Sequence, residues 1–149
     1  MSELLLIVHV LSAAAWIGGS AMFGFVGPRM GKAGGPAAGA WLGVVLEAMS
    51  RFFIPVILLT LLSGLSIVVV AEDWTIADPF VGIGIASVVA AAGVAFFNNR
   101  PAVLAAIDAA QRGDGPAIAA NARKLVSGGS WILAILIATE VVMVLRLGA

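Results

Sequence analysis

The stretch FFIPVILLTLLSGLSIVVVA, residues 52–71, runs for 20 residues without a charged side chain. A bilayer core about 30 Å thick is crossed by roughly 20 mostly apolar residues in a helix. This one segment therefore makes lipid the solvent to reason from, and three others read the same way. Leu4–Val26 has His9 as its only ionisable group, Pro79–Phe97 has none, and Leu125–Leu145 has Glu140 alone. In lipid each segment must satisfy its own backbone N–H and C=O groups, which a helix does. A transmembrane barrel would show alternating segments of about 10 residues, and none is present. The sequence predicts an all-α fold, an integral membrane up-down four-helix bundle. It forms a single transmembrane domain over 1–149, with spans at about 4–26, 52–71, 79–97 and 125–147.

Composition supports the same solvent. Hydrophobic residues make up 62% and charged residues 11% of the chain, against about 45–50% and about 25% in soluble domains. Eight basic residues balance eight acidic ones, so the basic footprint of a nucleic-acid binder is missing. The absence of cysteine rules out disulfides and thiolate chemistry. A single histidine, His9, rules out a cage of several histidines from one chain, and no aspartate shares its span for a Ser–His–Asp triad. Gly31-x2-Gly34-Gly35 lacks the strand–loop–helix context and lysine spacing of a phosphate-binding loop. The start Met1-Ser2-Glu3 carries no positive charge, and the apolar run after it is longer than a signal-peptide core. The first span reads as a retained helix.

The connections carry helix punctuation. Gly34-Gly35-Pro36 lets the second helix begin well before Phe52, with Glu47 and Arg51 spaced to pair on an exposed turn. Asn98-Asn99-Arg100-Pro101 marks the end of the third span or a kink in it, and the alanine-rich 102–112 can continue as helix. Gly113-Asp114-Gly115-Pro116 is a stop-and-restart signal. Short links favour antiparallel neighbours. Seven of the eight basic residues fall on one side of the spans, and Glu3, Glu72, Asp73 and Asp78 on the other. The positive-inside rule then predicts a multi-pass protein of the cell membrane with both termini outside. Trp74 and Trp41 read as interfacial anchors on the outer and inner sides, and Gly82-x3-Ala86-x3-Ala90 as a small-residue packing row within the bundle or between subunits.

Two polar side chains inside the spans raise the functional question, since each costs about 2.5–3.5 kcal/mol on insertion scales. His9 lies roughly 7.5 Å, and Glu140 roughly 10 Å, below the same boundary at 1.5 Å per residue. They are therefore expected at similar depth, with Ser63 and Ser66 near them, and can pair if the first and last helices touch. One reading is a polar clasp that fixes helix packing. The other is a site, in which neutral imidazole ligates haem iron or copper and a carboxylate orients its second nitrogen. On this reading His9, Trp16 and Glu140 are the cofactor-binding candidates, with haem b as the cofactor. His9 and Met143 are the metal candidates, with copper as the alternative. Trp16 lies two turns from His9 on a stripe with Ala13 and Ser20, either as core or as the wall of a flat cofactor. A bis-histidine haem would require a homodimer, and partners beyond the bilayer are a second copy or a larger membrane complex.

The run His9-Val-Leu-Ser-Ala-Ala-Ala-Trp16-Ile-Gly18-Gly19, followed by Gly27-Pro28-Arg29, resembles the first helix of the copper-resistance-D-like integral membrane proteins. Arg51, Pro55 and Gly64 in the second helix are compatible with that family. More distantly, the chain resembles the HemJ-type protoporphyrinogen oxidases in size and helix number. That resemblance implies His9 as a haem ligand, Trp16 as a pocket wall and an oxidase activity. The Trp-to-Pro-Arg spacing is longer here, and residues 79–97 contain neither lysine nor histidine. Together these readings lead to a small polytopic membrane protein without catalysis of its own, holding haem or a metal at His9 as an accessory of a redox or transport assembly. The alternatives are the oxidase and copper handling.

Overall fold

The computed structural model describes residues 2–33, 35–70 and 74–145. The first rod is α1 (Ser2–Ala33). The second joins α2 (Gly35–Ala48), a π-helical turn (Met49–Phe53) and α3 (Ile54–Val70). The third joins α4 (Pro79–Val94), a second π turn (Ala95–Asn99) and α5 (Arg100–Gln111), and the fourth is α6 (Gly115–Leu145). No strand occurs among the described residues, and all four rods are long and apolar enough to cross a bilayer. The all-α four-helix bundle is thus the observed fold.

Rods two and three outrun the charge-free stretches. Their apolar helices cover Ala37–Val70 and Pro79–Gln111, roughly 50 Å each at 1.5 Å per residue. Hydrocarbon takes up about 30 Å of that, so the excess protrudes at the end that carries most of the basic residues. Asn98-Asn99-Arg100-Pro101 accordingly spans the junction between the second π turn and α5 inside a rod, not the rod's end.

The two π turns share a cause. Proline lacks an N–H, and its ring crowds the carbonyl four residues earlier. For Pro55 that residue is Arg51 and for Pro101 it is Phe97, and each lies inside a π turn. The widened turn relieves the clash at the cost of one extra residue. One extra residue rotates the downstream helix by about 100°, so both rods change the face they bury at this level.

Below the π turns the bundle is closed. Leu42, Val45, Val103, Ala106 and Leu125 form its tightest core, continued by Ala38, Ala109 and Ile118. α5 follows the amphipathic logic of a water-soluble helix. Ala102, Val103, Ala106 and Ala109 are buried, while Asp108 and Arg112 pair on the exposed face. Gly113 takes a positive φ of 71°, the left-handed region where a side chain is costly. Asp114 then caps α6, its Oδ1 accepting from the Ala117 N–H at 3.0 Å. Arg51 and Glu47 pair as their spacing predicts, at 3.1 Å on an exposed turn.

Above the π turns the bundle is looser. α1 packs on α3 and α6, and α4 packs on α6, but α3 and α4 meet only sparsely. Trp16, Ala91, Ile132 and Leu136 make the core at this level.

The expectation that the Gly82, Ala86 and Ala90 row packs within the bundle is corrected. Gly82, Ala86 and Ala90 lie exposed, with open space beside Gly82. The inward register of α4 runs instead through Gly84 and Ala91, two and one residues away, which is a different side of the helix. Trp41 is half-buried with its edge against Phe23, centroids 6.5 Å apart. Trp74 is half-buried edge-on to Phe80, centroids 5.8 Å apart. Glu72, Asp73 and Arg146 lie outside the described residues.

Since the closed end holds the densest core, Leu42→Ala is expected to lower stability by about 2–4 kcal/mol. Leu62→Ala, at a position 60% exposed on the lipid-facing surface, is expected to change it by less than about 0.5 kcal/mol. Unfolding of the two variants in one detergent measures the contrast.

Candidate functional site

The histidine is seated by α3. His9 Nδ1 lies 2.9 Å from the Thr60 carbonyl oxygen and 3.3 Å from Ser63 Oγ. A carbonyl only accepts, so Nδ1 must carry the proton. The Ser63 hydroxyl spends its own hydrogen on the Leu59 carbonyl at 2.5 Å, which leaves its lone pair facing Nδ1. For the neutral imidazole the tautomer is thereby set: Nδ1–H donates, and Nε2 keeps a lone pair without a protein partner among the described residues.

A polar seam holds the two helices in this register. Thr60 Oγ1 donates to Ser12 Oγ at 3.0 Å, and Ser12 Oγ donates to the His9 carbonyl at 2.9 Å. Ser12, Thr60 and Ser63 are all buried. Gly64 provides the clearance, since a Cβ there would lie 2.9 Å from His9 Cε1. Thr60, Ser63 and Gly64, spaced i, i+3 and i+4, therefore share one face of α3.

His9, Trp16, Glu140 and Met143 line one cavity of about 330 Å³, between α1, α3, α4 and α6 at the end where α1 begins and α6 finishes. The sequence-derived candidates are thus brought together, though not in the pairing expected. Among the described residues His9 makes no hydrogen bond to Glu140 and no ion pair within 4.0 Å. The polar clasp exists, but its partners are the Thr60 carbonyl and Ser63. Glu140 is half-buried on the cavity wall. Ser66, expected near His9, makes no bond to it.

Met143 is committed to packing. Its methyl group sits directly over Gly84, which has no side chain to obstruct it, and it packs with Val68, Phe80 and Val81. Trp16 is 2% exposed and serves as core and wall at once. No group of three His, Cys, Asp or Glu side chains that could hold a metal ion occurs among the described residues. Sequence reasoning missed the roles of Thr60 and Gly84. For Thr60 a signal was available, in a Thr-x2-Ser-Gly face within an otherwise apolar span.

A second cavity of about 520 Å³ lies toward the basic end, lined by α1, the second and third rods and α6. It includes the buried Asn99, which sequence alone reads as part of a span end or a kink.

The chain matches no family model, no curated protein and no solved structure.

The tautomer is directly measurable, because the protein has one imidazole. In tag-free protein labelled with ¹⁵N-histidine, Nδ1 is expected to be protonated and Nε2 unprotonated. Gly64→Ala should displace the ring and abolish this fixed pattern. A protonated Nε2 in the unmodified protein would contradict the assignment.

Proposed function

We propose that this small polytopic membrane protein binds haem b in the cavity lined by His9, the residue that would hold it, as an accessory of a redox or transport assembly. One observation carries the reading. The Nδ1–H is given to the Thr60 carbonyl, leaving the Nε2 lone pair with no protein partner beside a cavity. Ligating histidines typically donate their other N–H to a carbonyl or carboxylate, which fixes the ring and raises its basicity. Haem needs one such nitrogen and apolar walls. His9 would hold the iron, Gly64 would keep the ring's seat open, and Trp16 would wall the macrocycle. When bound, haem supplies one-electron or small-ligand chemistry. Copper fits less well. His9 and the Met143 thioether are only two donors, and Met143 already packs over Gly84.

The charge asymmetry supports the orientation in which the basic end is cytoplasmic and both termini are outside. An alkaline phosphatase fusion after residue 149 is expected to be active, and one inserted at residues 113–115 inactive. The reverse result would invert the topology.

The optical spectrum tests the haem. Detergent-purified protein supplied with haem should show a Soret band that His9→Ala abolishes and Glu140→Gln retains. If the unmodified protein gives only the spectrum of free haem, the reading fails.

A further inference from the structure

The two cavities share a single lining residue, Trp16. The basic-end cavity has no part in haem binding at His9, and its walls have a distinct chemistry. Its body is apolar, formed by side chains such as Phe53, Ile57, Val89 and Phe96. Its polar groups include Asn99 and Arg100, at the π turn of the third rod. Residues of α3 and α4, which meet only sparsely, stand on its walls.

Both polar groups are left with something to bind. Asn99 is 6% exposed, its Oδ1 accepts from Asn98 Nδ2 at 2.9 Å, and Asn98 Nδ2 also reaches the Lys124 carbonyl. The Asn99 amide nitrogen has no protein partner among the described residues. No fully enclosed side-chain polar atom lacks a partner, so this nitrogen retains accessible surface at the cavity. Gly128 makes the placement feasible, because a side chain there would overlap the Asn99 amide. Arg100 has no carboxylate within 4.0 Å among the described residues, and its guanidinium lies only over the Phe96 ring, 5.7 Å from the centroid. Arg51, at the same level, is by contrast neutralised by Glu47. An apolar slot within a bundle of membrane-spanning length, ending in an unpaired guanidinium and a buried amide donor, is complementary to an acyl chain carrying an anionic phosphate.

We propose that the basic-end cavity is a binding site for one anionic phospholipid of the adjacent leaflet, with an acyl chain in the slot and its phosphate at Arg100 and Asn99.

Tryptophan quenching tests this, because Trp16 lines the slot whereas Trp131 is 65% exposed on α6, on the lipid-facing surface. Two single-tryptophan proteins are required. One retains Trp16 (Trp41→Phe, Trp74→Phe, Trp131→Phe), and the other retains Trp131 (Trp16→Phe, Trp41→Phe, Trp74→Phe). Each is reconstituted with brominated-chain phosphatidylglycerol or phosphatidylcholine. The expected result is a preference of about fivefold for the anionic lipid at Trp16, the size of one basic-residue contact. It should be absent at Trp131 and fall to parity when Arg100→Gln is added. Parity at Trp16 in the Arg100 protein, or an equal preference at Trp131, would mean boundary lipid only and overturns the proposal. If a single-tryptophan protein does not fold, native mass spectrometry of the unmodified chain against Arg100→Gln replaces it. One retained phosphatidylglycerol, lost in the variant, is expected. Retention of a free fatty acid instead, or no difference between the two proteins, overturns the phospholipid assignment.

Discussion

The close approach of α2 and α5 at the basic end conditions everything above it in the bundle. It is achieved with small side chains: Ala38, Ala106 and Ala109 are buried, and a side chain at Gly39 would come within 3.4 Å of Ala110. Tight closure there anchors rods two and three against each other. Just above it, a π turn precedes each of Pro55 and Pro101, and the faces rotate. α3 and α4 then meet only sparsely, and the space beside them becomes cavity. Packing density and cavity are therefore consequences of one geometry, in which two rods are joined at one end and part toward the other.

Inside the cavity region, polarity is rationed. Lipid offers no hydrogen bonds, so each buried polar atom has to find a partner within the protein. His9 does so through its Nδ1–H, and Ser12, Thr60 and Ser63 complete a seam between α1 and α3. Interhelical bonds of this kind contribute about 0.6 kcal/mol each on average. The seam is thus more consequential for where the imidazole points than for stability. It commits one ring nitrogen and leaves the other beside the cavity, the division of labour that a ligating histidine requires. The basic end shows a parallel case, in which the Asn99 carbonyl oxygen is engaged and its amide nitrogen is not.

Much of this is legible in the amino-acid order. Charge-free runs as long as a bilayer crossing identify the four rods, since lipid excludes charge and demands helices. Gly113-Asp114-Gly115-Pro116 marks a helix boundary through local backbone preference, and Glu47-x3-Arg51 marks a pair through helical spacing. The grouping of His9, Trp16, Glu140 and Met143 comes from depth arithmetic, because rise per residue is constant along a helix. These are all one-dimensional quantities, and one-dimensional reasoning recovers them.

Rotation about the helix axes is another matter. Depth places His9 level with Glu140, but only the packing of α1 on α3 turns the ring to the Thr60 carbonyl. The small-residue row at Gly82, Ala86 and Ala90 does not pack within the bundle for the same reason, since small residues occur on more than one side of α4 and Gly84 and Ala91 are the ones turned inward. Each π turn further shifts the phase by a residue that no periodicity count includes. Residue order is enough to set the solvent, the number of rods, their succession and the depth of every polar group. Which faces meet, which hydrogen bonds close and where space remains are settled in three dimensions, because azimuth is fixed by contact between helices that are distant in the chain.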